Sequence, residues 1–144
     1  MLQNLGAGAI MVVVTVVIHG LGLLGMSATL RSVINRYRPQ ETLPGTVVTM
    51  VLTVLSLFLL HTIEIWVWAV AFLSLGALPD MTQALTFSTL SFSTLGAEAL
   101  STTPEWQLFG SMEGVNGFLL IGWSTAYLIP AWTRYGPFHE DRGF

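Results

Sequence analysis

The chain has no cysteine and no lysine, and only 9 % of its 144 residues are charged. Without cysteine there are no disulfides and no thiolate metal sites. An average soluble domain carries about 25 % charged residues. A soluble fold this short has too little interior to hide a chain that is 53 % hydrophobic. Disordered chains are polar or highly charged, so that class is excluded too. All the basic charge sits on five arginines, Arg31, Arg36, Arg38, Arg134 and Arg142. None of them interrupts a long apolar run, which excludes an arginine ladder of the voltage-sensing kind. They form no basic face for nucleic acid. With a mean hydropathy of +0.70, what remains is a membrane protein, of one domain by its length.

Three apolar runs are long enough to span a hydrocarbon core of about 30 Å. The first is Leu5 to Leu30, with His19 as its only strongly polar side chain. No basic segment precedes it and no convincing cleavage site follows, so it reads as a helix rather than a signal peptide. The second is Val47 to Leu75, with His61 and Glu64 inside it, and Gly76 to Pro79 breaks it. The third is about Trp106 to Trp132, interrupted by Glu113 and Asn116. With three spans, all five arginines fall on one side, so the positive-inside rule puts the N-terminus outside and the C-terminus in the cytoplasm. The loop before the third run then lies outside, with the acidic residues Asp80, Glu98 and Glu105. Trp106, Trp132 and Tyr135 fit interfacial aromatic belts.

Met81 to Leu95 is too short to cross a bilayer and too apolar for an ordinary aqueous loop. Pro79-Asp80 is a helix start with Asp80 as N-cap. Leu85, Ser88, Thr89 and Phe92 follow at helical spacing, and the helix should end near Ser93, before Gly96. A short Ser/Thr-rich helix followed by irregular backbone at membrane depth reads as a re-entrant loop. Such backbone is tolerated where protein buries it or where it lines an aqueous path. The negative end of the helix dipole would favour a cation beyond it.

The stretch Ala84-Leu-Thr-Phe-Ser-Thr-Leu-Ser-Phe-Ser-Thr-Leu-Gly96, with the run from Trp106 to Ile129, resembles the pore module of the potassium-channel superfamily. It is most similar to the small bacterial two-pore-domain-potassium-channel-like proteins, which have one pore loop. The resemblance implies an all-α membrane protein with three transmembrane helices plus a re-entrant pore helix and filter loop, assembled as a homotetramer in the bacterial inner membrane among its lipids. The implied organisation is an N-terminal helix 1–30, a cytoplasmic linker 31–46, a pore domain 47–133 and a tail 134–144. Within the pore domain the outer helix is 47–75, the pore helix 81–93, the filter 94–98 and the inner helix 106–132. Where the family filter reads Thr-x-Gly-Tyr-Gly-Asp, this chain reads Thr94-Leu95-Gly96-Ala97-Glu98-Ala99.

A potassium filter stacks successive carbonyls by alternating backbone hand, and left-handed positions favour glycine. Gly96 suits this and Glu98 does not, so the outer carbonyl rings should be lost. The resemblance therefore implies a weakly selective or non-selective cation pore passing potassium and sodium, with Thr94 and Glu98 as transient cation ligands. A ring of four Glu98 carboxylates would also attract calcium. No resident cofactor and no enzymatic activity are expected. A non-conducting or divalent-binding relative is the alternative reading.

The resemblance puts Glu113 behind the filter, where pore-helix hydroxyls or filter amides would donate to it, with Ser93 also supporting. Asn116, Leu120, Ser124 and Tyr127 follow one helical face and are the expected lining of the inner cavity. Gly110, Gly114, Gly117 and Gly122 suit close helix packing, or a gating hinge at Gly117, with Pro130 kinking the helix toward a lower gate. His61 and Glu64 form a buried polar pair, structural or pH-sensing. His19 and His61 both lie near mid-bilayer by residue count. A haem held between them in an electron-transfer protein is a further alternative. Gly20-Leu-Gly22-Leu-Leu-Gly25 matches a dinucleotide fingerprint, but it lies inside an apolar run with no strand before it.

Overall fold

The computed structural model describes residues 2–39, 42–96 and 104–135. Ala97 and Glu98 lie outside the described residues. The described chain is all-α: α1 (Leu2–Tyr37), α2 (Leu43–Ser74), α3 (Met81–Phe92) and α4 (Pro104–Tyr135). Two helices, α1 and α2, are long and apolar enough to cross a membrane. Most of their surface is uncovered in the single chain, unlike the core helix of a soluble domain.

Two element boundaries differ from the sequence expectation. The segment Arg31–Tyr37 is helical and continues α1. A switch from apolar to polar residues marks where a helix leaves an apolar medium, not where it ends, and arginine is a good helix former. At the other end of the connection, α2 starts at Leu43 with Pro44 in its first turn. There proline loses no intrahelical hydrogen bond. Thr42 caps that turn by accepting the Gly45 amide at 3.3 Å.

The three long helices form one bundle. Gly8 faces Met112, Thr15 faces Asn116 and Ser27 faces Tyr127, so α1 and α4 run parallel. His19 meets Glu64, and His61 meets Ser124, so α2 runs antiparallel to both. At one end of the bundle, α3 wedges between α2 and α4. An aromatic cluster holds it there: Phe72 packs edge-on against Phe87 at 4.9 Å and against Phe109 at 4.9 Å, and Trp68 meets Phe109 at 5.1 Å. Such pairs contribute about 0.5–1.5 kcal/mol each beyond area burial.

On the α4 side, α3 lies along the stripe Gly110, Gly114 and Gly117. A Cβ at Gly110 would meet the Phe87 ring, and one at Gly114 would sit 3.3 Å from the Ser91 carbonyl. One at Gly117 would overlap the backbone of Phe92. Gly117 is thus a close-packing residue inside an unbroken helix. Helix α4 continues through Gly117, and Pro130 lies inside it as well.

Candidate functional site

Helix α3 is built to start and stop sharply. Asp80 caps its first turn by accepting the Gln83 amide at 2.9 Å, and the Gln83 side chain donates back to Asp80 at 2.8 Å. Its C-terminal end closes by two backbone bonds: the Thr94 amide donates to the Ser91 carbonyl at 3.0 Å and the Leu95 amide to the Leu90 carbonyl at 3.0 Å. This is a Schellman end, which needs a left-handed residue at the position after the cap. The same pair of bonds ends α2, where glycine fills that position with Gly76 at φ 71°. In α3 the residue is Thr94 at φ 60°. A left-handed β-branched residue costs about 1–2 kcal/mol. Strain of this kind gathers at functional sites. Gly96 follows, also left-handed at φ 87°.

The depth of this end follows from its contacts. The Phe92 ring touches His61 at 5.6 Å, and its backbone lies against Gly117. His61 is about thirteen residues from the end of α2, and Gly117 about thirteen from the start of α4. Both routes place the end of α3 roughly 20 Å down helices that are roughly 48 Å long. One face of α3 is covered by the chain (Ala84, Phe87, Ser88, Ser91, Phe92). The other carries Thr82, Gln83, Thr86 and Thr89 and is exposed, as are Thr94, Leu95 and Gly96 beyond it.

Glu113 is fully buried beneath α3. The Ser88 hydroxyl lies between its Oε1 and the Ile65 carbonyl of α2, the latter at 2.9 Å, so one serine ties three helices together. Ser88 escapes a sequence reading because its neighbours are also hydroxyl residues. Its position between Ile65 of α2 and Glu113 of α4 sets it apart. Ser93, expected as filter support, turns its hydroxyl back to the Thr89 carbonyl at 2.6 Å.

The expected cavity lining is placed differently. Asn116 donates to Thr15 at 2.7 Å, Ser124 pairs with His61 at 3.0 Å, Leu120 is buried, and the Tyr127 hydroxyl accepts from Ser27 at 3.1 Å. All four face α1 and α2 of their own chain. The arrangement has a simple cause. In an apolar medium polar side chains pair with each other inside the bundle, so a polar face need not be a wet face. The uncovered face of α4 carries Phe118, Gly122, Thr125 and Ile129 at three- and four-residue steps.

At mid-height the bundle encloses His19, His61 and Glu64. Glu64 is fully buried and accepts from both imidazoles, His19 Nδ1 on Oε1 and His61 Nδ1 on Oε2, each at 2.9 Å. The third partner, His19, comes from a different helix, and the equal depth of His19 and His61 is its one trace in the sequence. The His19 and His61 rings stack at 5.4 Å with 27° between planes. Haem between two histidines needs the macrocycle to separate the two rings, with iron between facing nitrogens. Here one carboxylate fills the space between the two Nδ1 atoms, so these residues do not fit haem.

Comparison with known proteins gives no match among family models, curated proteins or solved structures.

Proposed function

We propose that the chain is the subunit of a homotetrameric cation channel in which α2 is the outer helix, α3 the pore helix and α4 the inner helix. One observation carries the reading: a half-length helix stops in the middle of the bundle's depth with one polar face uncovered. At membrane depth an exposed row of hydroxyls and an irregular backbone need either protein or water against them. Three further copies of the chain around an axis supply both, and a closed ring is the usual solution for one repeated surface. In that ring Thr94, Leu95 and Gly96 surround the axis and Glu98 rings the outer mouth. The α3 dipoles direct their negative ends to the ion below.

With Asn116, Ser124 and Tyr127 engaged inside the chain, the cavity wall is the uncovered face of α4 next to α3, Phe118, Gly122 and Thr125. The arginine distribution supports an N-terminus outside and a cytoplasmic connection between α1 and α2. Few intact carbonyl rings make for weak discrimination between potassium and sodium.

Proximity across the axis tests the assembly. The chain is free of cysteine, so Leu95→Cys introduces a single thiol on a 76 % exposed side chain. Oxidation in membranes should give disulfide-linked dimers. Phe58→Cys, on the outward face of α2, should stay monomeric under the same oxidant. No cross-linking at 95, or equal cross-linking at both sites, would rule out an axial position for this segment.

A further inference from the structure

We infer that His19, His61 and Glu64 form a binding site for one divalent transition-metal ion of the zinc class, joining α1 to α2 inside the bundle. The inference stands apart from the channel reading, because none of the three residues belongs to the proposed pore wall.

The donor set is two imidazoles and one carboxylate, whose ligand atoms all lie within 4.8 Å of one another. Imidazole selects zinc, copper, nickel or iron over calcium and magnesium, which prefer all-oxygen sites. Zinc sits about 2.0–2.1 Å from an imidazole nitrogen and about 2.0–2.2 Å from a carboxylate oxygen. Tetrahedral neighbours are then roughly 3.3 Å apart. Each imidazole nitrogen lies 2.9 Å from a different oxygen of Glu64, and the ligand atoms of the two rings are within 4.8 Å of each other, so an ion needs the rings to part slightly from the carboxylate and to turn toward one common point.

The surroundings suit a ligating His61. With Nδ1–H on Glu64, His61 Nε2 accepts from the Ser124 hydroxyl at 3.0 Å. With Nδ1 on a metal, the ring proton moves to Nε2 and the same hydroxyl accepts it. A hydroxyl serves either tautomer. A second-shell partner on the far ring nitrogen is the usual accompaniment of a metal-bound histidine. The Trp123 ring, 5.2 Å from the His19 ring, confines that side.

His19 Nε2 is buried with no hydrogen-bond partner among the described residues, so the engaged nitrogen of this ring is the Nδ1 that faces Glu64. The site is approached from His61, whose side chain is 16 % exposed while His19 and Glu64 are fully enclosed. A fourth ligand, water or a small anion, would come from there.

The test uses the full chain purified in detergent, stripped with a chelator, then equilibrated with zinc or cobalt(II) and desalted. The expected result is one ion per chain and, for cobalt, the visible absorption of a tetrahedral nitrogen–oxygen site. Magnesium and calcium should not compete. Ser124→Ala keeps all three ligands and should weaken binding by about 10-fold or more. His61→Asn and Glu64→Gln should abolish it. His139→Gln, which replaces the remaining histidine, should bind as the wild type does. If the ligand variants do not fold, X-ray absorption of the zinc-loaded wild type still decides, by the presence or absence of two imidazoles. The site is overturned if the wild type retains no metal, if His61→Asn and Glu64→Gln retain it fully, or if His139→Gln alone removes it.

Discussion

Replacing glycine by alanine at two positions of α4, five residues apart, should have opposite effects. At Gly117 a new Cβ would overlap the carbonyl, carbonyl carbon and Cα of Phe92. These are backbone atoms at the end of α3 and cannot swing aside as a side-chain tip can. Over-packing of this kind costs about 1–3 kcal/mol, and a backbone obstacle puts it at the upper end. Alanine recovers about 1 kcal/mol of helix propensity. The net loss is about 2 kcal/mol. At Gly122 nothing among the described residues lies within 4 Å of the new Cβ, so only the propensity gain remains, about 1 kcal/mol. For a chain near this length 1 kcal/mol moves Tm by about 2–4 °C. Gly117→Ala should therefore melt roughly 6 °C lower than wild type and Gly122→Ala roughly 3 °C higher, measured in one detergent by intrinsic tryptophan fluorescence. If the proposed channel function holds, the Gly117 variant should also lose cation flux before it loses helix content, because the displaced part is the end of α3. Equal shifts in the two variants, or a Gly117 variant as stable as wild type, would refute the close contact between α3 and α4.

Other outcomes follow from single residues. Thr94→Gly removes the left-handed strain at the end of α3 and should raise Tm by the equivalent of about 1 kcal/mol. In the proposed channel it should also change the ion preference of the current, since a hydroxyl is removed from the proposed axis; a lower Tm would contradict the Schellman ending. In the cysteine-free background, Thr125→Cys should react with a water-soluble thiol reagent and lose current. Ser124→Cys, buried against His61, should react slowly if at all, and the reverse order would put Ser124 rather than Thr125 on the aqueous wall. Glu98→Gln should keep the fold, reduce calcium block and weaken the pH dependence of current in planar bilayers. Unchanged calcium sensitivity would mean that Glu98 points away from the mouth.

Much of the fold is legible in the sequence because the helix signals are local. Asp80 announces the start of α3 three residues before the amide it caps. The pause at Gly76 matches the left-handed end of α2. The long apolar runs announce α1 and α2 by length alone. What escapes depends on which face of a helix meets which neighbour. Helix α4 carries polar side chains on more than one face: Asn116 and Ser124 on one, Thr125 among Phe118, Gly122 and Ile129 on another. Periodicity marks the polar face but does not reveal whether water or another helix satisfies it. The partners of Asn116 and Ser124 are Thr15 and His61, more than sixty residues away in sequence. The same limit hides the grouping of His19 with His61 and Glu64. Residue counting puts His19 and His61 at one depth, but only packing brings the carboxylate between them. The left-handed conformation of Thr94 is missed for the opposite reason. A local rule predicts glycine at a left-handed helix end, and here a β-branched residue occupies it.

The most direct test of the central claim is ion flux through the purified chain in liposomes. Potassium, sodium and N-methylglucamine gradients should be compared with protein-free vesicles and with the Leu95→Cys protein before and after oxidation. Potassium and sodium should pass at comparable rates, N-methylglucamine and chloride should not pass, and oxidation of Leu95→Cys should stop the flux. No cation flux from a protein that cross-links at 95, or flux that oxidation leaves unchanged, would contradict that claim.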